Sequence, residues 1–290
     1  MRNQTTLARP VRVAGTGLHT GRRVTATLRP AAEDSGLAFL RSDTGTLVPA
    51  LAEEAGRLEY ATSLGSAGAE ISTVEHLLSA LAGLGVDNLL VEVDGPELPV
   101  LDGSALPWVE AVRETGIVRQ AARVEPFRPD RTLAVDAGHG KRIEIRPARE
   151  LRITYSIDFP HAAIGQQSIT LVLSPETYAT HLAPARTFGF LSEYEFLKSR
   201  GLARGASAEN CIVVGEDRVE NGTLRFADEF VRHKALDLVG DLALAGVPVV
   251  GHVVAHRAGH ALHTALARRI REEMGARQGA AGAARAATGY

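Results

Sequence analysis

With 290 residues, 45% of them hydrophobic, the chain is long enough for about two domains, each with a packed core. Its formal net charge of −2 comes from interspersed acids and bases, so a broad phosphate-backbone footprint is excluded and no nucleic-acid partner is expected. No apolar run approaches the roughly 18 residues of a membrane span, and the single cysteine, Cys211, rules out an intrachain disulfide.

The first ten residues lack the apolar stretch of a secretory signal, which together with the lone cysteine leads us to expect a cytoplasmic setting. Gly15-Thr-Gly-Leu-His-Thr-Gly21 looks at first like a phosphate cradle. It has neither the Gly-Lys-Ser/Thr ending of a P-loop nor the dinucleotide spacing, so it reads as a tight turn. Val24–Ala31 alternates as a half-buried strand does, and Gly36–Asp43 is a second strand candidate. Ser72–Leu78 opens a helix that carries Glu75 and His76, and Leu89–Val93 follows as another strand. Glu125–Asp130 holds two prolines and no amphipathic period, which marks the boundary between halves.

Beyond that boundary the order repeats. Arg142–Ala148 ends in Arg-Pro-Ala as the Val24 strand does, and Leu151–Asp158 is again the next strand. Val231-Arg-His233 echoes Val74-Glu-His76, and Val249–Val254 closes the series. Four echoes in one order point to a degenerate duplication. The histidines are further apart than the Arg-Pro-Ala motifs by about 40 residues, so an addition is expected in the second half, near 160–215. The expected organisation is residues 1–125, residues 126–276 and a Gly/Ala-rich, disordered tail over 277–290.

His233 and Asp237 stand at i and i+4 of a helix, where an imidazole and a carboxylate can converge on one metal ion. With His76 they would form the two-histidine, one-carboxylate set of a hydrolytic zinc centre, a donor set that iron(II) also accepts. Glu75, beside His76, is a candidate base for an attacking water, or else a solvated glutamate that suits a helix N-terminus. Protonation of a departing amine needs a cationic group. His260 is a candidate, with Asp241 to orient it, but His252, His256 and His263 compete for the role. Phe188 and Phe190, in the added segment, could line an apolar groove.

Taken together, Gly15–Gly21, Ile71–Leu77, Leu101-Asp-Gly-Ser-Ala105, Ala185-Arg-Thr-Phe-Gly-Phe190, Phe230–Asp237 and Gly259-His-Ala-Leu262 closely resemble the UDP-3-O-acyl-N-acetylglucosamine deacetylases of lipid A synthesis, in order from about residue 3 to residue 272. The resemblance implies an α+β fold of two similar domains. Each would be a β-sheet layer packed on a pair of helices, a duplicated β-α-α-β sandwich with the active site at the domain junction. It implies zinc held by His76, His233 and Asp237, Glu75 as base, and His260 as cationic acid supported by Asp241. It also implies Thr187 as an oxyanion donor, Lys234 as a substrate contact, Leu18, Phe188, Phe190 and Leu191 along the acyl chain, and Phe159 stacked on the nucleotide near Arg257. Ser63 stands where some family members have cysteine. The expected partner is thus a small molecule, an acylated UDP-amino sugar. Two other readings are a metal-dependent amidase or phosphoester hydrolase acting on another nucleotide sugar, and a non-catalytic nucleotide-sugar binder.

Overall fold

The computed structural model describes residues 1–66 and 68–288. In the first half, strands β1 (Arg2–Leu7), β2 (Val11–Thr16), β3 (Arg23–Pro30), β4 (Leu37–Arg41) and β5 (Thr46–Pro49) precede helix α1 (Glu75–Leu84). Then come β6 (Leu89–Val93), α2 (Leu106–Thr115) and β7 (Ile117–Val124). The second half holds β8 (Leu133–Asp136), β9 (Arg142–Arg146), β10 (Arg152–Asp158) and β11 (Gln166–Val172), followed by α3 (Pro175–His181), β12 (Phe188–Phe190), α4 (Tyr194–Ser199) and β13 (Ile212–Val214). It ends with α5 (Glu229–Leu242), β14 (His252–His256) and α6 (His260–Thr288). This is the expected α+β architecture.

Two five-stranded sheets carry the duplication. One runs β2-β3-β6-β4-β5, and the other, traced from its β8 edge, runs β8-β9-β14-β10-β11. The pairings also match in sense. The third strand of each sheet, β6 or β14, lies antiparallel to β3 or β9 and parallel to β4 or β10, and both edge pairs are antiparallel. Alternation in β3 explains its place, since Val24, Ala26 and Leu28 point into the core. A smaller ribbon pairs β1 with β7, and β12 pairs in parallel with β13.

Three local expectations shift. The strand expected from Val249 begins only at His252, because the interdomain segment takes its first hydrogen bonds: Phe127 N–H donates to the Pro248 carbonyl, and Val250 N–H donates to that of Phe127. The added segment starts later than 160, because β11 pairs along β10 as a member of the main sheet, so the long connection occupies 173–228. The backbone is helical to Thr288, through most of the stretch whose composition predicts disorder; alanine, abundant there, has the highest helix propensity. Residues 289 and 290 of that stretch lie outside the described residues.

The halves meet where α1 packs on α5. Nearly every residue of α1 is buried, as suits a helix apolar on most sides. A Cβ on Gly240 would lie 2.1 Å from the Glu75 carbonyl oxygen, so only glycine lets α5 approach the first turn of α1 this closely. Ser79 Oγ donates to the Leu236 carbonyl at 2.8 Å and accepts from the Tyr178 hydroxyl at 2.9 Å, which locks the crossing. Among the described residues, no helix is long and apolar enough to cross a membrane.

Candidate active site

The α1–α5 contact brings together side chains that lie more than 150 positions apart in the chain. His76, in the first turn of α1, and His233 and Asp237, on one face of α5, offer donor atoms that all lie within 4.8 Å of one another. Bonds of about 2.0–2.2 Å to a single tetrahedral ion set donor atoms roughly 3.3–3.6 Å apart, a spacing inside that limit. The two imidazole centroids are 5.1 Å apart and nearly perpendicular. Asp237 Oδ1 lies 3.3 Å from His233 Nε2 and 3.9 Å from His76 Nε2, yet it is buried without a hydrogen bond. A buried acceptor without a donor is costly, and a cation satisfies it. His233 Nδ1–H donates to the Ala185 carbonyl at 3.1 Å, which turns Nε2 toward Asp237.

Electrostatics suit the same purpose. Burial, with His233 close by, pushes His76 down to about 3, and burial also lowers His233, so both imidazoles are neutral and keep a lone pair to bind with. Burial opposes ionisation of Asp237, but the charges of Lys234 and His260 outweigh it and hold the carboxyl below the usual range. Lys234 Nζ donates to Asp237 Oδ2 at 2.7 Å, leaving Oδ1 toward the histidines. These residues fit a divalent cation.

Glu75 and His260 flank this group. Burial, aided by Asp237 and Asp241 and opposed by His260, pushes the Glu75 carboxyl up to about 8, and its Oε2 accepts from Thr62 N–H at 3.0 Å. His260 is the first residue of α6 and is buried. Its Nδ1–H donates to Asp241 Oδ2 at 2.8 Å; burial opposes the charge, but Asp241 wins and raises the imidazole to about 9. A carboxyl and an imidazole whose proton affinities sit near neutrality and above it are matched as base and acid.

The competing histidines have other partners. His252 bonds Thr154 Oγ1, His256 bonds Ser156 Oγ, and neither lines the cavity beside His76, His233 and Asp237. His263 is fully buried behind His260. That cavity, of about 620 Å³, has His76, His233, Asp237, Glu75, Thr187, Lys234 and His260 on its walls. From there it continues past Leu18, Phe159, Phe188, Phe190 and Leu191. Phe159 meets Phe188 edge to face at 5.8 Å, so the two aromatics expected on different ligand parts share one wall. Arg257 is exposed, with φ of 48°, and does not line the cavity. Ser63 is also away from it, donating its hydroxyl to Ser72 Oγ.

Reading the sequence missed several supporting residues. Thr62 Oγ1 donates to Asp241 Oδ1 at 2.5 Å, tying the β5–α1 connection to α5. Buried Glu97 accepts from the N–H groups of His19 and Thr20, each at 2.7 Å, and from the hydroxyls of Thr20 at 2.6 Å and Thr73 at 3.1 Å. It thereby fixes the Gly15–Gly21 turn against the entry to α1, and a Cβ on Gly17 would lie 2.3 Å from its Oε2. The glycines of that turn were the available signal, and their close partner was invisible.

Comparison with known proteins follows the same path. The family model described as UDP-3-O-acyl N-acetylglycosamine deacetylase matches residues 4–272. A Myxococcus xanthus protein named UDP-3-O-acyl-N-acetylglucosamine deacetylase is 47% identical over 271 residues, covering 92% of this chain and 86% of its own. Proteins of the same name from Thermosynechococcus vestitus and Solibacter usitatus are 46% and 45% identical, each across 93% of this chain and over 94% and 92% of their own lengths.

Proposed function

The chain belongs to the UDP-3-O-acyl N-acetylglycosamine deacetylase family, and from that membership we infer what its residues do. It hydrolyses the N-acetyl group of UDP-3-O-acyl-N-acetylglucosamine, releasing acetate and a free 2-amine in the committed step of lipid A synthesis. His76, His233 and Asp237 hold a zinc ion in this reading, and iron(II) suits the same donors. When bound, the cation supplies Lewis acidity to the acetyl carbonyl and lowers the pKa of water.

The protein groups then divide the proton traffic. Glu75 Oε takes the proton of the attacking water, and His260 Nε2–H supplies one to the departing nitrogen as the tetrahedral carbon collapses. Asp241 keeps the His260 imidazole charged and turned. Thr187 donates its hydroxyl to the developing oxyanion, and Lys234 neutralises Asp237 while facing the substrate. Leu18, Phe188, Phe190 and Leu191 line the fatty acyl chain, and Phe159, on the same wall, stacks on the nucleotide. We assign residues 1–125 and 126–276 to the two domains, and the reducing cytoplasm to the enzyme, where its acylated UDP-sugar would be met.

One observation carries the reading. Ligands from α1 and α5, a base and an acid converge at one end of a cavity that is otherwise largely apolar. The test is acetate release from the UDP-sugar by purified protein, measured as isolated, after chelation, and after zinc or iron(II) is restored. Activity lost on chelation and regained with one ion supports it, and undiminished turnover in fully stripped protein refutes it. A non-catalytic binder would release no acetate under any of these conditions.

A further inference from the structure

His263 takes no part in the chemistry described so far, yet it is fully buried and titratable, one turn from His260 on the same helix. Its Nδ1 lies 2.9 Å from Asp241 Oδ2, the same oxygen that accepts from His260 Nδ1 at 2.8 Å. Its Nε2 lies 2.9 Å from the Tyr155 hydroxyl, whose single proton is shared between that nitrogen and the Ala258 carbonyl, also 2.9 Å away. Burial keeps Tyr155 protonated. Asp241 thus accepts three protein donors, Thr62 on Oδ1 and two imidazoles on Oδ2.

We propose that His263 is a positioning residue: by donating Nδ1–H to the Asp241 oxygen that also accepts from His260, it divides the carboxylate's charge and loosens its hold on the His260 proton. The inference rests on the reading of His260 as the acid. An acid bound too tightly to its carboxylate is slow to release a proton to a leaving amine, so a shared carboxylate favours turnover. The direction does not depend on the charge of His263. A neutral ring draws density from Oδ2 through its N–H, a cationic ring adds like charge, and both make His260 a stronger acid. The other ionisable groups near the pair are Lys234, Asp237 and His233 on α5, Glu75 and His76 on α1, Tyr155 on β10 and His19 in the β2–β3 turn. None of these seven bonds Asp241, so His263 is the one ionisable competitor for it among the described residues.

Two amides separate the two ends of the ring. In His263→Asn the amide nitrogen falls where Nδ1 was and keeps a donor on Asp241, whereas in His263→Gln it reaches toward Tyr155 and leaves Asp241 to His260. The titration midpoint of the His260 imidazole, followed by NMR in metal-loaded enzyme, should rise by about half a unit or more in His263→Gln and stay at the wild-type value in His263→Asn. The basic limb of kcat/KM should move with it. Equal midpoints in wild type and His263→Gln, or equal shifts in both amides, would overturn the proposal. So would parallel losses of activity with no shift, which are what simple packing would produce. A midpoint that moves while the limb stays put upholds the sharing and instead removes His260 as the acid. Should the variants not fold, ¹⁵N shifts in the wild-type enzyme decide: an unprotonated His263 Nδ1 refutes the shared carboxylate.

Discussion

The two halves share one strand order but do not share the chemistry equally. On the proposed assignment, α1 of the first delivers one metal ligand and the base at adjacent positions, whereas α5 of the second delivers two ligands, Lys234 and the Asp241 bonded to His260. His76 is the second residue of its helix and His233 the fifth of its own, so the matching Val-x-His motifs sit one turn out of step. The offset is what allows both: the buried first turn of α1 presents Glu75 beside its histidine, while the interior of α5 places His233, Asp237 and Asp241 at four-residue intervals on one face. Duplication built the frame, and divergence in helix register and in the β-to-α connections built the site.

The largest effect should come from breaking the α5 side. Asp237→Ala removes a ligand and unbalances Lys234, so the purified protein should retain far less metal by elemental analysis and turnover should fall close to background. Glu75→Gln breaks the α1 side differently. Metal content should be unchanged while kcat drops by roughly 10²–10⁴-fold, and equal losses of metal and rate would mean Glu75 is structural. Thr187→Ala tests the long second-half connection, with a kcat loss of roughly one to three orders of magnitude and little change in KM. The comparison sharpens further with pH. Asp241 raises His260 from 6.5 to about 9, so the stability it adds is complete below the unfolded value and is lost as pH climbs through about 9. The basic limb of kcat/KM should lie near the upper value, and Asp241→Asn should move it downward. The smallest expected effect concerns the contact between halves: Gly240→Ala should cost about 1–3 kcal/mol in denaturant unfolding, because the added methyl meets the Glu75 carbonyl.

Much of the frame was legible because its signals are local. Period-two alternation placed β3, a repeated Arg-Pro-Ala ending placed β9, and repetition of order placed β4 with β10 and β6 with β14. The i, i+4 spacing of His233 and Asp237 was legible for the same reason, since helix geometry alone puts them on one face. Histidine choice was not. Four candidates lay between 252 and 263, and only the fold shows that His252 and His256 bond β10 side chains while His260 faces the cavity. Arg257 lies beside these residues in sequence yet outside the cavity, because a left-handed backbone turns the chain there.

From sequence alone came the strand and helix periods, the internal repeat, the family likeness and the donor pair on α5, all of which depend on neighbours within a turn or two. Tertiary structure decided which nitrogen faces which carboxylate. Thr62 reaches Asp241 across 179 positions, His76 meets His233 across an interhelical contact that Gly240 permits, and His263 shares an oxygen with His260. Proton affinities depend on burial and on charges a few ångströms away, and those distances exist only once the two helices have packed.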